Sequence, residues 1–246
     1  MLNDYIGQQR IKENLKVFIS SAKKRNATLE HILFYGPDGV GKETLAHAIA
    51  NEIGVNIVSI SATKIFKGLD FSAMLTKLEK GDILFIDEIH RLNRNIEEIL
   101  YPAMEDFTLD MVAGAGAMKS SLRLYLKNFT LIGSTTKEEL VPKHLCERFS
   151  MKFRLTYYDD SEMLSFVQRY ADDMALSLRE DVAAEVAKHC EGVPINAMHL
   201  LKRIRDFAEF EDINVIDLCT TRKALKNICI DEICPYMFGA NTDNSI

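Results

Sequence analysis

The chain has 246 residues, 47% of them hydrophobic and 27% charged, ordinary values for a globular fold with room for one or two domains. A net charge of −6 excludes nucleic-acid binding by bulk positive charge, so any such contact has to come from a local basic patch. No run approaches the roughly eighteen apolar residues of a membrane span, and the polar start MLNDYIGQQR lacks signal-peptide character, so a cytoplasmic protein without membrane contact is expected.

Residues 8–24 place Ile11, Leu15, Val17, Phe18 and Ile19 near helical spacing and predict an amphipathic helix. Apolar runs follow at 31–35, 55–59 and 83–86, with a fourth at 130–132 and a fifth at 151–155, and helical stretches alternate with them. That alternation predicts an α/β fold, a mainly parallel sheet covered by helices. Between the third and fourth runs, over 109–126, Gly114 and Gly116 interrupt two β-prone arms, Met111-Val112 and Leu122-Arg123-Leu124, which predicts an inserted β-hairpin. After Tyr158 the strand signals nearly stop, and 161–174, 182–190, 196–210 and 216–228 read as helices. The expected division is an α/β domain over 1–156, a small all-helical domain over 157–228, and a weakly ordered tail over 229–246. Cys146, Cys190, Cys219, Cys229 and Cys234 are scattered, with no CxxC pair, and read as reduced thiols.

The strongest local signal is Gly36-Pro37-Asp38-Gly39-Val40-Gly41-Lys42, directly after a strand and directly before a helix. Phosphate loops need that context, because glycines let backbone N–H groups wrap the phosphates and the helix N-terminus adds positive potential. Lys42 would reach the β and γ phosphates. Glu43 stands where a Ser or Thr ordinarily holds magnesium, and Thr44, turned by about 100° on the helix, is no simple replacement. A carboxylate can ligate magnesium but also repels a triphosphate. The strand Ile83-Leu84-Phe85-Ile86 ends in Asp87 and Glu88, suited respectively to orienting magnesium or its water and to polarising an attacking water. Turns also begin with acids; the position some forty-five residues after a phosphate loop favours the functional reading. Ser134-Thr135-Thr136 closes the next strand, where a hydroxyl can hold the lytic water or cap the following helix. Arg148 is either a finger for a neighbouring subunit's nucleotide or half of a surface ion pair, and spacing alone favours the ion pair. His90 and Arg91 read as solvated or hydrogen-bonded residues at a helix start.

With these residues in view, the chain resembles the RuvB family of AAA+ ATPases from Asp4 to about Ala224. The resemblance is carried by Asp4-Tyr5-Ile6-Gly7-Gln8, the phosphate loop, the run from Leu84 to Leu92, Glu98-Ile99-Leu100-Tyr101-Pro102-Ala103-Met104-Glu105-Asp106-Phe107, the run from Phe129 to Thr136, and Leu200-Leu201-Lys202-Arg203-Ile204-Arg205-Asp206-Phe207-Ala208. It implies a large AAA+ domain with a helical lid, ATP and Mg2+ as cofactors, a homohexameric ring, and translocation of duplex DNA at Holliday junctions together with a RuvA-like junction-binding protein. Under it, Tyr5 and Ile6 line the adenine pocket, and Tyr158 and Pro194 close it from the lid. Gly39, Val40, Gly41, Lys42, Glu43 and Thr44 surround the phosphates. Asp87 and Glu88 form the acidic pair, with Asp87 and Glu43 as candidate metal ligands, and Thr136 is the first sensor. Glu105, Asp106 and Phe107 approach the adjoining subunit's nucleotide, Arg148 becomes the arginine finger, and Leu122 and Leu124 are the hairpin's apolar contacts with the RuvA-like partner.

Three departures stand beside the resemblance. Glu43 occupies the magnesium-ligand position. Ile195 follows Pro194 where the family has arginine as a second sensor, and it has no hydrogen-bonding group. Eighteen residues after Ile228 are fewer than the roughly fifty of a minimal domain, so the family's winged helix is not expected. Two functions follow: an ATP-driven branch-migration motor, or a ring component or RuvA-binding scaffold that binds nucleotide and hydrolyses it slowly or not at all.

Overall fold

A computed structural model describes residues 1–113, 120–213 and 215–230. They fall into two units, one comprising Met1–Pro37 and Gly41–Thr156, the other Asp38–Val40 and the chain from Tyr157 onward.

In the first unit the apolar runs become strands β1 (Ile32–Tyr35), β2 (Ile57–Ser61), β3 (Ile83–Asp87), β6 (Thr130–Thr135) and β7 (Met151–Arg154), between the helices α1 (Gln9–Arg25), α2 (Lys42–Ile53), α3 (Gly68–Leu75), α4 (Arg94–Glu105) and α5 (Lys143–Cys146). The five strands form one parallel sheet in the order β2-β3-β6-β1-β7. Ile83, Leu84, Phe85 and Ile86 are all buried, as is every residue of β6. A parallel strand covered on both faces needs such a continuous apolar run. One core joins Leu84, Ile86 and Leu131 to Phe71, Leu75, Ile96, Leu100, Phe129 and Phe149, tying α3 and α4 to the sheet.

Two boundaries differ from expectation for local reasons. Val55 donates to Ala50 O and Gly54, at φ 84°, does the same, so Val55 closes α2 and the strand starts at Ile57. The fourth run extends to Thr135 because β1 pairs with it through Tyr35↔Thr135. The hairpin arms are β4 (Thr108–Ala113) and β5 (Ser120–Tyr125), antiparallel with Leu109↔Leu124 and Met111↔Leu122 in register. Asp110 and Arg123, also paired, make two hydrogen bonds of 2.7 and 2.9 Å. The expected turn around Gly114 and Gly116 lies outside the described residues.

The second unit holds α6 (Asp160–Asp173), α7 (Glu180–Lys188), α8 (Pro194–Phe210) and α9 (Leu218–Ile230). Asp159 accepts the Glu162 N–H at 2.8 Å while Glu162 accepts the Asp159 N–H at 3.2 Å, a capping box that starts α6. Met163 and Val167 of α6, Val182 and Val186 of α7, Leu200, Leu201 and Ile204 of α8, and Ala224 and Leu225 of α9 are buried at the helices' apolar positions. The expected tail begins inside α9, which runs to Ile230, and 231–246 lie outside the described residues. Cys146, Cys190 and Cys219 are free thiols, and burial pushes Cys190 up to about 12. No helix among the described residues is long and apolar enough to cross a membrane.

His31, just before β1, joins the first unit's layers. Its Nδ1 accepts the Leu131 N–H at 2.9 Å and its Nε2 faces the Met104 carbonyl at 3.0 Å, which the neutral ring protonated on Nε2 satisfies at both ends. Burial holds its pKa below the ordinary 6.5, outweighing the Met104 hydrogen bond. The unfolded chain takes up this proton near pH 6.5 and the folded chain only at lower pH. Stability from this group is therefore full above about 6.5 and is lost as pH falls toward the folded-state value. Thermal unfolding is expected at lower temperature at pH 5 than at pH 7.5. His31→Gln, which keeps an acceptor and a donor but cannot charge, should narrow that difference; an unchanged difference would assign the pH dependence elsewhere.

Candidate functional site

β1 ends at Tyr35 and α2 begins at Lys42, so the intervening loop ends at a helix N-terminus with its unsatisfied N–H groups. Glycine is required at both ends of that loop. A Cβ on Gly36 would lie 2.3 Å from Leu155 O, and Gly41, at φ 89°, leaves 2.9 Å between such an atom and the Tyr5 hydroxyl. Lys42 is buried, and its Nζ donates to Gly36 O at 3.0 Å and Pro37 O at 2.7 Å, which holds the ammonium across the loop's entrance. Tyr5 donates its hydroxyl to Gly41 O at 3.2 Å, and Lys12 donates to Tyr5 O at 2.7 Å. Ile6 is half-buried beside it, and Gln8 donates to Thr156 O at 2.7 Å, fastening this segment to the chain leaving β7. Glu43 and Thr44 are exposed on the first turn of α2, with Glu43 3.8 Å from His47 Nε2.

The acids converge on the same edge because β6 lies between β3 and β1. Ser134 donates to Asp87 Oδ1 at 2.5 Å, Thr136 donates to Glu88 Oε2 at 3.1 Å, and the Gly36 N–H donates to Thr135 O at 3.2 Å. The tip of β6 thus bridges the acidic pair and the phosphate loop. Glu88 adopts φ 51°, a left-handed conformation uncommon outside glycine, which turns its carboxylate back toward β6. The His90 side chain is 5% exposed, with Nδ1 2.8 Å from Thr135 Oγ1 and Nε2 3.4 Å from Glu88 Oε2. The roles of Ser134 and His90 depend on strand order, and sequence reading missed them as partners of the acids. The nearest sequence signal was three hydroxyls in a row at a strand's end. Among the described residues no three His, Cys, Asp or Glu side chains gather as metal ligands. Asp87 and Glu43 are hard oxygen donors of the kind that supplement phosphate and water around magnesium, so the donor chemistry fits that ion.

The remaining predicted residues stand apart. Arg148 precedes β7, whereas the phosphate loop follows β1; these strands are parallel and level, with Ile32↔Met151 and Tyr35↔Arg154. The two therefore lie past opposite ends of the sheet, separated by the strand length of about 10 Å and by the turns at both ends. Arg148 lines an open cavity of about 780 Å³ with Glu105, His144 and Glu147. Glu105 and Asp106 are exposed, while the Phe107 ring packs at 5.9 Å from Phe129 and 6.3 Å from His31 and serves the core. Leu122 is 51% exposed, but Leu124, on the same face of β5, packs against the core. In the second unit Tyr158 is buried and donates to Val40 O at 3.0 Å, and Pro194 is buried at the start of α8. Within that unit the Ile195 and Val193 side chains lie so near Gly39 that a Cβ there would meet them at 2.6 and 2.8 Å.

A family model described as the Holliday junction DNA helicase RuvB P-loop domain matches residues 1–155, and one described as the RuvB AAA lid domain matches 158–231. The Holliday junction branch migration complex subunit RuvB of Campylobacter fetus is 48% identical over 230 residues, covering 94% of this chain and 67% of that protein. Its counterpart from Orientia tsutsugamushi is 45% identical over 233 residues, 95% of this chain and 72% of the relative. The solved structure of the Thermotoga maritima RuvB branch migration motor superposes with a TM-score of 0.82 at 37% identity, covering 94% of this chain and 72% of the other. A point mutant of the same protein gives 0.85 at 37% identity, with 94% and 73% covered.

The link from Thr136 to Glu88 can be cut without disturbing the loop. Thr136→Val is expected to slow nucleoside triphosphate hydrolysis by about ten- to a hundredfold, the scale of a misplaced general base. Nucleotide affinity, read by fluorescence titration, should stay within about threefold, since loop and Lys42 are intact. An equal loss of affinity would mean that Thr136 binds nucleotide rather than orienting Glu88.

Proposed function

The chain belongs to the RuvB family of AAA+ ATPases, and from that premise we propose that it is an ATP-driven motor for Holliday junction branch migration, working with a RuvA-type partner. The observation that carries the mechanism is the division of residues between the two ends of one sheet: loop, acids and β6 hydroxyls at one, Arg148 past the other.

The nucleotide's phosphates sit against the N–H groups of the loop and the start of α2, where Lys42 exchanges its carbonyl partners for phosphate oxygens. Asp87 and Glu43 would hold magnesium, which when bound screens the phosphate charge. Glu88, held by Thr136 and flanked by His90, accepts the proton of the water that attacks the γ-phosphorus, and the bond to the ADP oxygen breaks. Arg148 cannot reach its own subunit's loop across the sheet, so it stabilises charge on a neighbour's phosphoryl group, which requires a ring of copies. Tyr5 and Ile6 flank the adenine end. Leu122, exposed on the hairpin, meets the RuvA-type partner, and Leu124 supports it from the core side.

A second reading rests on two residues. Glu43 adds negative charge beside the triphosphate, and Ile195 brings no charge to the start of α8; both favour a nucleotide-binding ring component that turns over slowly. Steady-state hydrolysis and strand exchange on a synthetic four-way junction, with and without RuvA, separate the two. The motor reading expects both activities. A buffer-level rate with intact nucleotide binding would sink it, and recovery in Glu43→Thr with Ile195→Arg would assign the loss to those positions.

For the hairpin, Leu122→Asp is expected to weaken RuvA binding at least tenfold, measured by calorimetry, with ATP binding unchanged. Undiminished RuvA affinity would remove the hairpin as the docking surface.

A further inference from the structure

Arg148 is held within its own subunit by an arrangement that the trans-acting role leaves unexplained. Its guanidinium carbon lies 4.3 Å from the centroid of the Tyr101 ring, well inside cation–π range. One terminal nitrogen is 3.0 Å from Glu105 Oε1, the other donates to the His144 carbonyl, and Nε is buried without a hydrogen-bond partner. Tyr101 is itself tethered: its hydroxyl donates to Glu97 Oε2 at 3.0 Å. Burial and Glu97 together push the Tyr101 pKa up to about 12, so the phenol keeps its proton at any working pH.

The spacing is helical. Glu97, Tyr101 and Glu105 stand four residues apart on α4, hence on one face over successive turns. The first fixes the tyrosine, the second presents its ring, and the third meets the guanidinium edge. On the other side, Arg148 is flanked by the buried Leu145 and Phe149, which fix its backbone against the core. The ion pair alone is a poor anchor, because the Glu105 side chain is 54% exposed and such pairs are largely screened. The ring acts on the face of the guanidinium and takes none of its N–H groups, and each terminal nitrogen, with one contact to Glu105 or His144, carries a second N–H in the plane for a phosphate oxygen.

We propose that Tyr101 is a positioning residue for the arginine finger: its ring, fixed by Glu97, holds Arg148 in one preset orientation, with Glu105 setting the rotation about it, before a neighbouring copy brings nucleotide. This rests on the reading of Arg148 as a finger acting in trans. A long arginine samples many rotamers, and a preset one raises the share of subunits whose finger is ready when the interface closes.

The test is the hydrolysis rate of the assembled full-length protein, with Arg148→Ala as control. Loss of activity in Arg148→Ala supports the finger; a wild-type rate there overturns the reading beneath the proposal. Given that loss, Tyr101→Leu is expected to lower kcat about tenfold with KM for ATP within twofold, and Tyr101→Phe, which keeps the ring but loses the Glu97 tether, to lower kcat by about threefold. Mixing Tyr101→Leu subunits with Lys42→Ala subunits, which have intact fingers and dead phosphate loops, should raise the rate per active site. Tyr101→Met serves the same purpose if the leucine variant fails to fold. A wild-type kcat in Tyr101→Leu, an equal loss in Tyr101→Phe, or no recovery on mixing overturns the proposal.

Discussion

The position of one strand controls the site. β6 lies between β3 and β1, so its C-terminal residues touch both the acidic pair and the phosphate loop. Parallel strands put all their C-terminal ends at one edge, and a strand-order switch opens a crevice there for a ligand. Ser134, Thr135 and Thr136 then act as a row of short tethers: to Asp87, to the His90 ring, and to Glu88. On the proposed reading, a γ-phosphate held by Lys42 lies beside the same strand whose hydroxyl holds Glu88, so coupling needs no long path.

The sheet that gathers these groups also keeps Arg148 from them. Its location before β7 puts it past the edge opposite the phosphate loop, and parallel pairing with β1 allows no slack. On the proposed reading, catalysis that uses this arginine is a property of the assembly. The local setting is consistent with that: instead of pointing freely into solvent, the guanidinium lies on Tyr101 and against Glu105, beside an open cavity. Storing a charge on an aromatic face keeps it oriented at less desolvation cost than burying it against a carboxylate alone.

The chain also shows how a family frame tolerates changed chemistry. Gly36 and Gly41 are held to glycine by contacts with Leu155 and Tyr5, so the loop's shape is secured by its surroundings. Glu43 is exposed on the first turn of α2, 3.8 Å from His47 Nε2. Ile195 packs beside Gly39 within the second unit, an apolar contact where the family places a charge.

Sequence alone determined the elements with strong local periodicity and the motifs whose spacing is local. The strands, the four late helices, the hairpin arms, the phosphate loop and the Asp87-Glu88 pair were all legible, because each depends on residues a few positions apart. Boundaries shifted where a cap or a pairing partner intervened, as at Val55 and Thr135. Tertiary structure alone decided what meets across the sheet. Ser134 reaches Asp87 over 47 positions, His90 reaches Thr135 over 45, and Tyr101 lies under Arg148 from another element. Leu122 and Leu124 look alike as text, yet one projects while the other packs against the core, because a ribbon's face is buried only as far as the body extends beneath it. Such pairings follow from strand order and helix docking, which burial of the whole core selects and which no local pattern encodes.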